Sequence, residues 1–163
     1  MRTIWLAGHS GSGKTTIAKR VIERLNPTEI SVFQHVKRTG YILLDGDEMR
    51  QSISLGAGFT PEERSEHNLR VARLASVLQK QVNVFVSVIA PVKKTRLEIN
   101  KVCNPVWFWM VRDLPEREGH FFEDFDPQKE TFYLIDNDRM NVEQSASFII
   151  SELAKEKVFD QLT

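Results

Sequence analysis

One stretch near the start constrains the chain more than any other. Residues Gly8, His9, Ser10, Gly11, Ser12, Gly13, Lys14 and Thr15, followed by Thr16, read G-x-x-x-x-G-K-T. This is the spacing of a phosphate-cradling P-loop. Glycines let the backbone curl until several N–H groups face one anion. A following helix adds the positive end of its dipole. Lys14 is long enough to reach the outer phosphates as a point charge. Thr15 places a hydroxyl where a magnesium ion bridging those phosphates sits. The flanks agree. Residues 3–7 are a short apolar run of strand type, and residues 15–25 carry Ile17, Val21 and Ile22 at helical spacing before Asn26-Pro27. Gly8, Ser10, Gly11, Ser12, Gly13, Lys14, Thr15 and Thr16 are thus the expected nucleotide-binding set, with Thr15 on the metal.

The rest of the chain alternates strand and helix signals. Residues 41–44 are continuously apolar, as in a strand buried on both faces, and run into Asp45-Gly46-Asp47, at the edge where open α/β sheets bind ligands. A hairpin or edge ribbon between 30–33 and 41–44 is a second expectation, and 48–54 a short helix. Thr60, Pro61 and Glu63 spell a capping box with proline at the first helical position. That helix should reach about Lys80, burying Val71, Leu74, Ala75 and Leu78. Arg64, His67 and Arg70 share one side of it, which spacing alone reads as a solvated face. Residues 82–89 are the strongest strand signal. Residues 93–102 then read as helix and 106–111 as strand, with Trp107 and Trp109 as core. Residues 112–130 suit a lid or loop, 131–135 a last strand, and Asn141 the cap of a final helix over Val142, Ala146, Ile149, Ile150 and Leu153. Strands alternating with helices predict a three-layer α/β fold, a parallel sheet covered on both faces.

With 163 residues the expectation is one domain spanning 1–163. Lys plus Arg and Asp plus Glu are each 22, so nothing points to nucleic acid or to a membrane surface as partner. Cys103 is the single cysteine, which rules out an intramolecular disulfide and suggests a cytoplasmic protein. No apolar run approaches the roughly 20 residues of a membrane span. His9, His35 and His120 are assigned no role.

Beyond the P-loop, Leu44-Asp45-Gly46-Asp47-Glu48-Met49-Arg50 and Gly58-Phe59-Thr60-Pro61-Glu62-Glu63-Arg64 resemble the adenylylsulfate kinases, which carry L-D-G-D-N-x-R and G-F-S-x-x-x-R at the same interval. Ile89-Ala90-Pro91 resembles that family's I-S-P, with Arg96 where a downstream arginine is expected. Phe122 to Pro127 is similar to its F-T-G-I-D-D-P. The likeness spans roughly residues 3–155.

The resemblance implies a P-loop NTPase fold and ATP-dependent transfer of a phosphate, with Mg2+, to the 3′-hydroxyl of adenylylsulfate. Lys14 and Asp45 would be the catalytic residues, Asp45 as base or magnesium-side carboxylate. Arg50 and Arg64 would hold the anionic part of the acceptor, and Phe59 and Phe122 would sandwich its base. His67 stands where the family has asparagine. The resemblance also turns the basic helix side from a solvated face into a substrate clamp. The family's basic lid segment is missing between residue 111 and Phe122, where Arg112 or Arg117 would be the local lid arginine. Three readings therefore stand: a kinase of adenylylsulfate, a kinase of another nucleotide-like compound such as a cytidine diphosphate derivative, and a nucleotide-binding module without catalysis. A homodimer is compatible with each.

Overall fold

Alternate residues of the first strand face opposite layers, and this fixes how the other elements stack. In the computed structural model, residues 1–25, 40–113, 121–156 and 158 are described. Strand β1 (Thr3–Ala7) is buried along its whole length. Ile4 and Leu6 join Ile17, Val21, Phe108, Met110, Ile135 and Ile149 on one side. Trp5 and Ala7 join Val71, Val84, Val86, Ile99 and Trp107 on the other. A strand buried on both faces cannot end a sheet, and β1 lies at its centre.

The element order is β1, α1 (Lys14–Leu25), β2 (Tyr41–Asp45), α2 (Gly46–Ser52), α3 (Pro61–Leu78), β3 (Asn83–Ser87), α4 (Lys93–Cys103), β4 (Val106–Val111), β5 (Tyr133–Asp136) and α5 (Val142–Lys155). The strands form one parallel sheet in the order β2-β3-β1-β4-β5. Helices α1 and α5 pack together on one face and α3 and α4 on the other. The expected three-layer α/β arrangement is therefore observed.

Helix ends follow their local chemistry. Thr60 caps α3, and Glu63 returns the bond to the Thr60 backbone. Asn141 does the same for α5 with Gln144. Asn104 takes φ +43° to close α4, a left-handed position that asparagine tolerates.

Several expectations are corrected. Strand β2 is not buried on both faces. It is an edge strand pairing only with β3, with Ile42 38% exposed and Leu44 its one buried residue. An apolar run measures strand propensity and not a place in the sheet. Helix α2 begins at Gly46, two residues before the expected start, because Asp45 itself caps it. The strand expected over 82–89 is ordered as a ladder only over Asn83–Ser87. Val142 is 40% exposed and adds nothing to the core stripe of α5. Trp107 is buried and Trp109 packs on the same cluster, as core residues. The ribbon expected for 30–33, along with His35, His120 and Arg117, lies outside the described residues.

Candidate active site

The carboxyl ends of β1, β2 and β3 open into a cleft of about 360 Å³. The P-loop forms its floor. Gly8 has φ +143°, and a side chain there would run into the carbonyl oxygen of Met110 on β4. Gly13 has φ +94°. Both backbones are closed to residues with a Cβ. Ser10, Gly11, Gly13, Lys14, Thr15 and Thr16 line the cleft. Ser12 lies behind it, fully buried, with its carbonyl accepting from Asn137 Nδ2 at 2.5 Å. Asn137, just past β5, is in turn held by Ser145 of α5, so the loop is braced from the turn after the edge strand β5 and from the helix beside α1.

Lys14 folds back over its own loop. Its ammonium donates to the carbonyls of Gly8 at 3.0 Å and His9 at 2.6 Å. Burial lowers its pKa to about 8, against the opposing pull of Asp45 and Asp47. An anion entering the loop finds a desolvated cation and backbone N–H groups, the arrangement that phosphate binding requires.

Next to the loop, oxygens from three elements meet. Thr15 Oγ1 donates to Asp45 Oδ2 at 2.7 Å and lies 2.7 Å from Ser87 Oγ. Asp45 Oδ1 accepts from the Asp47 N–H, capping α2. Asp45 and Ser87 are neighbours across the β2–β3 ladder. Hydroxyl and carboxylate oxygens beside a phosphate cradle are the hard ligands that suit magnesium and not a soft metal, and among the described residues no cluster of three His, Cys, Asp or Glu offers another metal site. Sequence reading found Thr15 and Asp45 but missed Ser87 and Asn137. A serine ending a strand and an asparagine in a turn carry no motif; only their tertiary partners mark them.

The opposite wall is basic. Arg50 donates to the Gly58 carbonyl at 2.9 Å and Arg64 to the Phe59 carbonyl at 3.0 Å. Both guanidiniums line the cleft, and among the described residues neither forms an ion pair with a carboxylate. Burial lowers the pKa of each, and Arg50 lowers that of Arg64 further. They stack on the Phe59 ring, at 4.6 Å for Arg50 and 5.2 Å for Arg64. Phe59 itself is 65% exposed, so ordinary core packing does not explain it. Arg112 reaches the same cleft.

The basic side of α3 is not a solvated face: Arg64 and His67 are buried, and only Arg70 points out, pairing with Glu66. His67 Nδ1 lies 2.9 Å from Ser54 Oγ, and its Nε2 is buried without a partner. Burial, then Arg50, Arg70 and Arg64, push its pKa down to about 4, so the ring is neutral at physiological pH.

Neither Phe59 nor Phe122 is among the residues lining the cleft. Phe122 packs 5.0 Å from the His9 ring and 6.5 Å from Phe125, and Arg96 approaches it at 5.6 Å. Arg96 is fully buried, bonded to Glu130 and to the carbonyls of Ala90 and Asp124. It anchors the segment after β4 and does not face the cleft.

A parallel sheet whose central strand feeds a glycine loop and helix, with a carboxylate at the end of another strand of the same sheet, is the arrangement of the P-loop NTPase fold. The chain belongs to the adenylylsulphate kinase family, whose model matches residues 1–113. It is 39% identical over 119 residues to a probable adenylyl-sulfate kinase of Aeropyrum pernix, covering 71% of this chain and 52% of that protein. The chain spans about half the length of the curated relatives it matches. Its fold is similar to that of the APS kinase of Mycobacterium tuberculosis solved with AMPPNP and APS, with a TM-score of 0.73 at 21% identity over 94% of this chain and 97% of the other. It is also similar to a gluconokinase from Sinorhizobium meliloti, with a TM-score of 0.67 at 18% identity over 99% and 98%. At those identities the structures share a fold only.

Proposed function

We propose that this chain is an ATP-dependent kinase that phosphorylates a hydroxyl of a nucleotide-like anion, with the 3′-hydroxyl of adenylylsulfate as the first acceptor to test. The observation that carries the reading is the meeting, in one cleft, of Lys14 and Thr15 with Asp45, Arg50 and Arg64, residues drawn from three separate stretches of chain. A sensor of ATP alone has no use for the last two.

Magnesium, held on the side of Thr15 and Asp45, would neutralise charge on the β- and γ-phosphates. Lys14 leaves the Gly8 and His9 carbonyls for those phosphates and stays on the γ-phosphoryl group as it transfers. The bond between the γ-phosphorus and the β–γ bridging oxygen breaks, ADP departs, and a bond forms to the acceptor oxygen, whose proton passes to water. Asp45, with one oxygen on the α2 N-terminus and the other on Thr15, is better placed as the metal-side carboxylate than as a free base. Arg50 and Arg64 hold the acceptor's anionic group by charge-assisted bonds, and Phe59 offers its exposed face to a base. Phe122, packed on His9, enters a base sandwich only if the segment around it moves.

An ADP-release assay across adenylylsulfate, cytidine diphosphate derivatives and simple sugars tests this. Turnover should be highest with an acceptor bearing both a base and an anionic group. Phe59→Ala and Arg64→Ala should each raise the acceptor KM about tenfold or more, the size of a lost stacking or charged contact, with the ATP KM little changed. A sugar as best acceptor, with Phe59→Ala kinetically silent, would restrict the reading to the ATP half. No release with any acceptor would leave a binding module.

A further inference from the structure

Ser87 is the last residue of β3. Alternation along this strand sends Val84 and Val86 to the α3–α4 layer and Phe85 to the α1–α5 layer, so Ser87 falls on the Phe85 side, facing the start of α1. It is 4% exposed, and a buried hydroxyl needs a partner. The partner is Thr15 Oγ1, 72 residues away in sequence and 2.7 Å away in space.

Counting protons orients this contact. Thr15 has one hydroxyl proton, and it goes to Asp45 Oδ2. The proton between Thr15 and Ser87 must therefore come from Ser87. Thr15 Oγ1 then gives one hydrogen bond, receives one, and keeps one lone pair. The neighbouring backbone is close enough to hold this arrangement, since a Cβ at Gly46 would sit 3.2 Å from the Ser87 carbonyl oxygen.

We propose that Ser87 is a positioning residue for the divalent cation: with the Thr15 proton on Asp45, its donation to Thr15 Oγ1 fixes one Thr15 lone pair and so directs the remaining one to the metal that accompanies ATP. This rests on the reading that the cleft takes ATP with magnesium. It adds a residue that lines the same cleft and acts on the cation through Thr15. Without Ser87 the Thr15 hydroxyl keeps its bond to Asp45 but loses the donor that fixes one of its lone pairs, and ordering the lone pairs falls to the cation.

The test uses the full chain and no acceptor. ATP affinity is measured by calorimetry in EDTA and again in excess magnesium, and Mn2+ binding to the protein–ATP complex by electron paramagnetic resonance. Ser87→Ala should leave metal-free ATP affinity within about twofold. It should cut the metal-dependent gain, and Mn2+ affinity, by roughly three- to tenfold, the range of one neutral hydrogen bond. Ser87→Thr, which keeps the hydroxyl, should restore both. An equal loss with and without metal would make Ser87 a support of the loop in general and overturn the proposal. So would an unchanged metal dependence in Ser87→Ala, measured against a wild type that binds ATP normally. Wild-type protein that binds no ATP under either condition would overturn the nucleotide reading, and this proposal with it.

Discussion

Lys14 shows how far a single residue can be read from its motif. The sequence marks it as the phosphate lysine, and the structure adds what it does while it waits. It is buried against two carbonyls, with its pKa lowered to about 8. Burial disfavours the charged form, so this contribution opposes folding below about pH 8 and fades as pH rises from there toward the ordinary lysine value. Bound phosphates reverse the balance and raise the pKa again. ATP binding should therefore take up a proton above about pH 8, and affinity should fall as pH climbs from 7.5 to 9.5. Calorimetry in buffers of different ionisation enthalpy would count that proton. In Lys14→Arg, which stays charged throughout, the slope should flatten. A wild-type affinity independent of pH over this interval would mean that the ammonium is already fully protonated in the free protein. Ser87 and Asn137 lie at the other limit of legibility. Each is one polar residue whose work depends on a partner 72 or 125 positions away, and no local pattern carries that.

At the scale of elements, the legible parts are those written in short-range chemistry. The α3 capping box was readable because Thr60, Pro61 and Glu63 act within four residues of one another. Thr60→Ala should cost about 1 kcal/mol, measured by urea denaturation with an unchanged m-value. This cap also bears on the site, since the first turn of α3 carries Arg64 and its bond to the Phe59 carbonyl. If stability were unaffected, the N-terminus of α3 would be held by Arg64 alone. The place of β2 was not readable. Its apolar residues resemble those of a central strand, and only the crossover that inserts β3 between β2 and β1 makes it an edge. The solvated face expected on α3 failed for a related reason. Periodicity places Arg64 and His67 on one side but says nothing of α2 and its loop folding over that side, where Ser54 meets His67.

Across the whole molecule, the segment from Phe121 to Glu130 is tied down by one buried ion pair. Arg96 Nε lies 2.7 Å from Glu130 Oε1, with the guanidinium 4.2 Å from the centre of the Phe125 ring. Removing one partner strands the other charge in the core. Glu130→Ala should cost about 3–5 kcal/mol, a fall in Tm of roughly 6–20 °C for a chain of this size. The double change Arg96→Met with Glu130→Met should recover much of it. Thermal denaturation followed by circular dichroism would decide, and a fall of a degree or less would show that water reaches the stranded guanidinium.

The edge position of β2 has one more consequence. The phosphate loop grows from the buried central strand, whereas Asp45, Arg50 and the Phe59 loop hang from the half-exposed margin of the sheet. Replacements at that margin disturb few core contacts, while replacements around β1 disturb many. Variation, natural or engineered, can therefore search for new acceptors at little risk to folding, on top of a phosphate-handling half that tolerates almost no change.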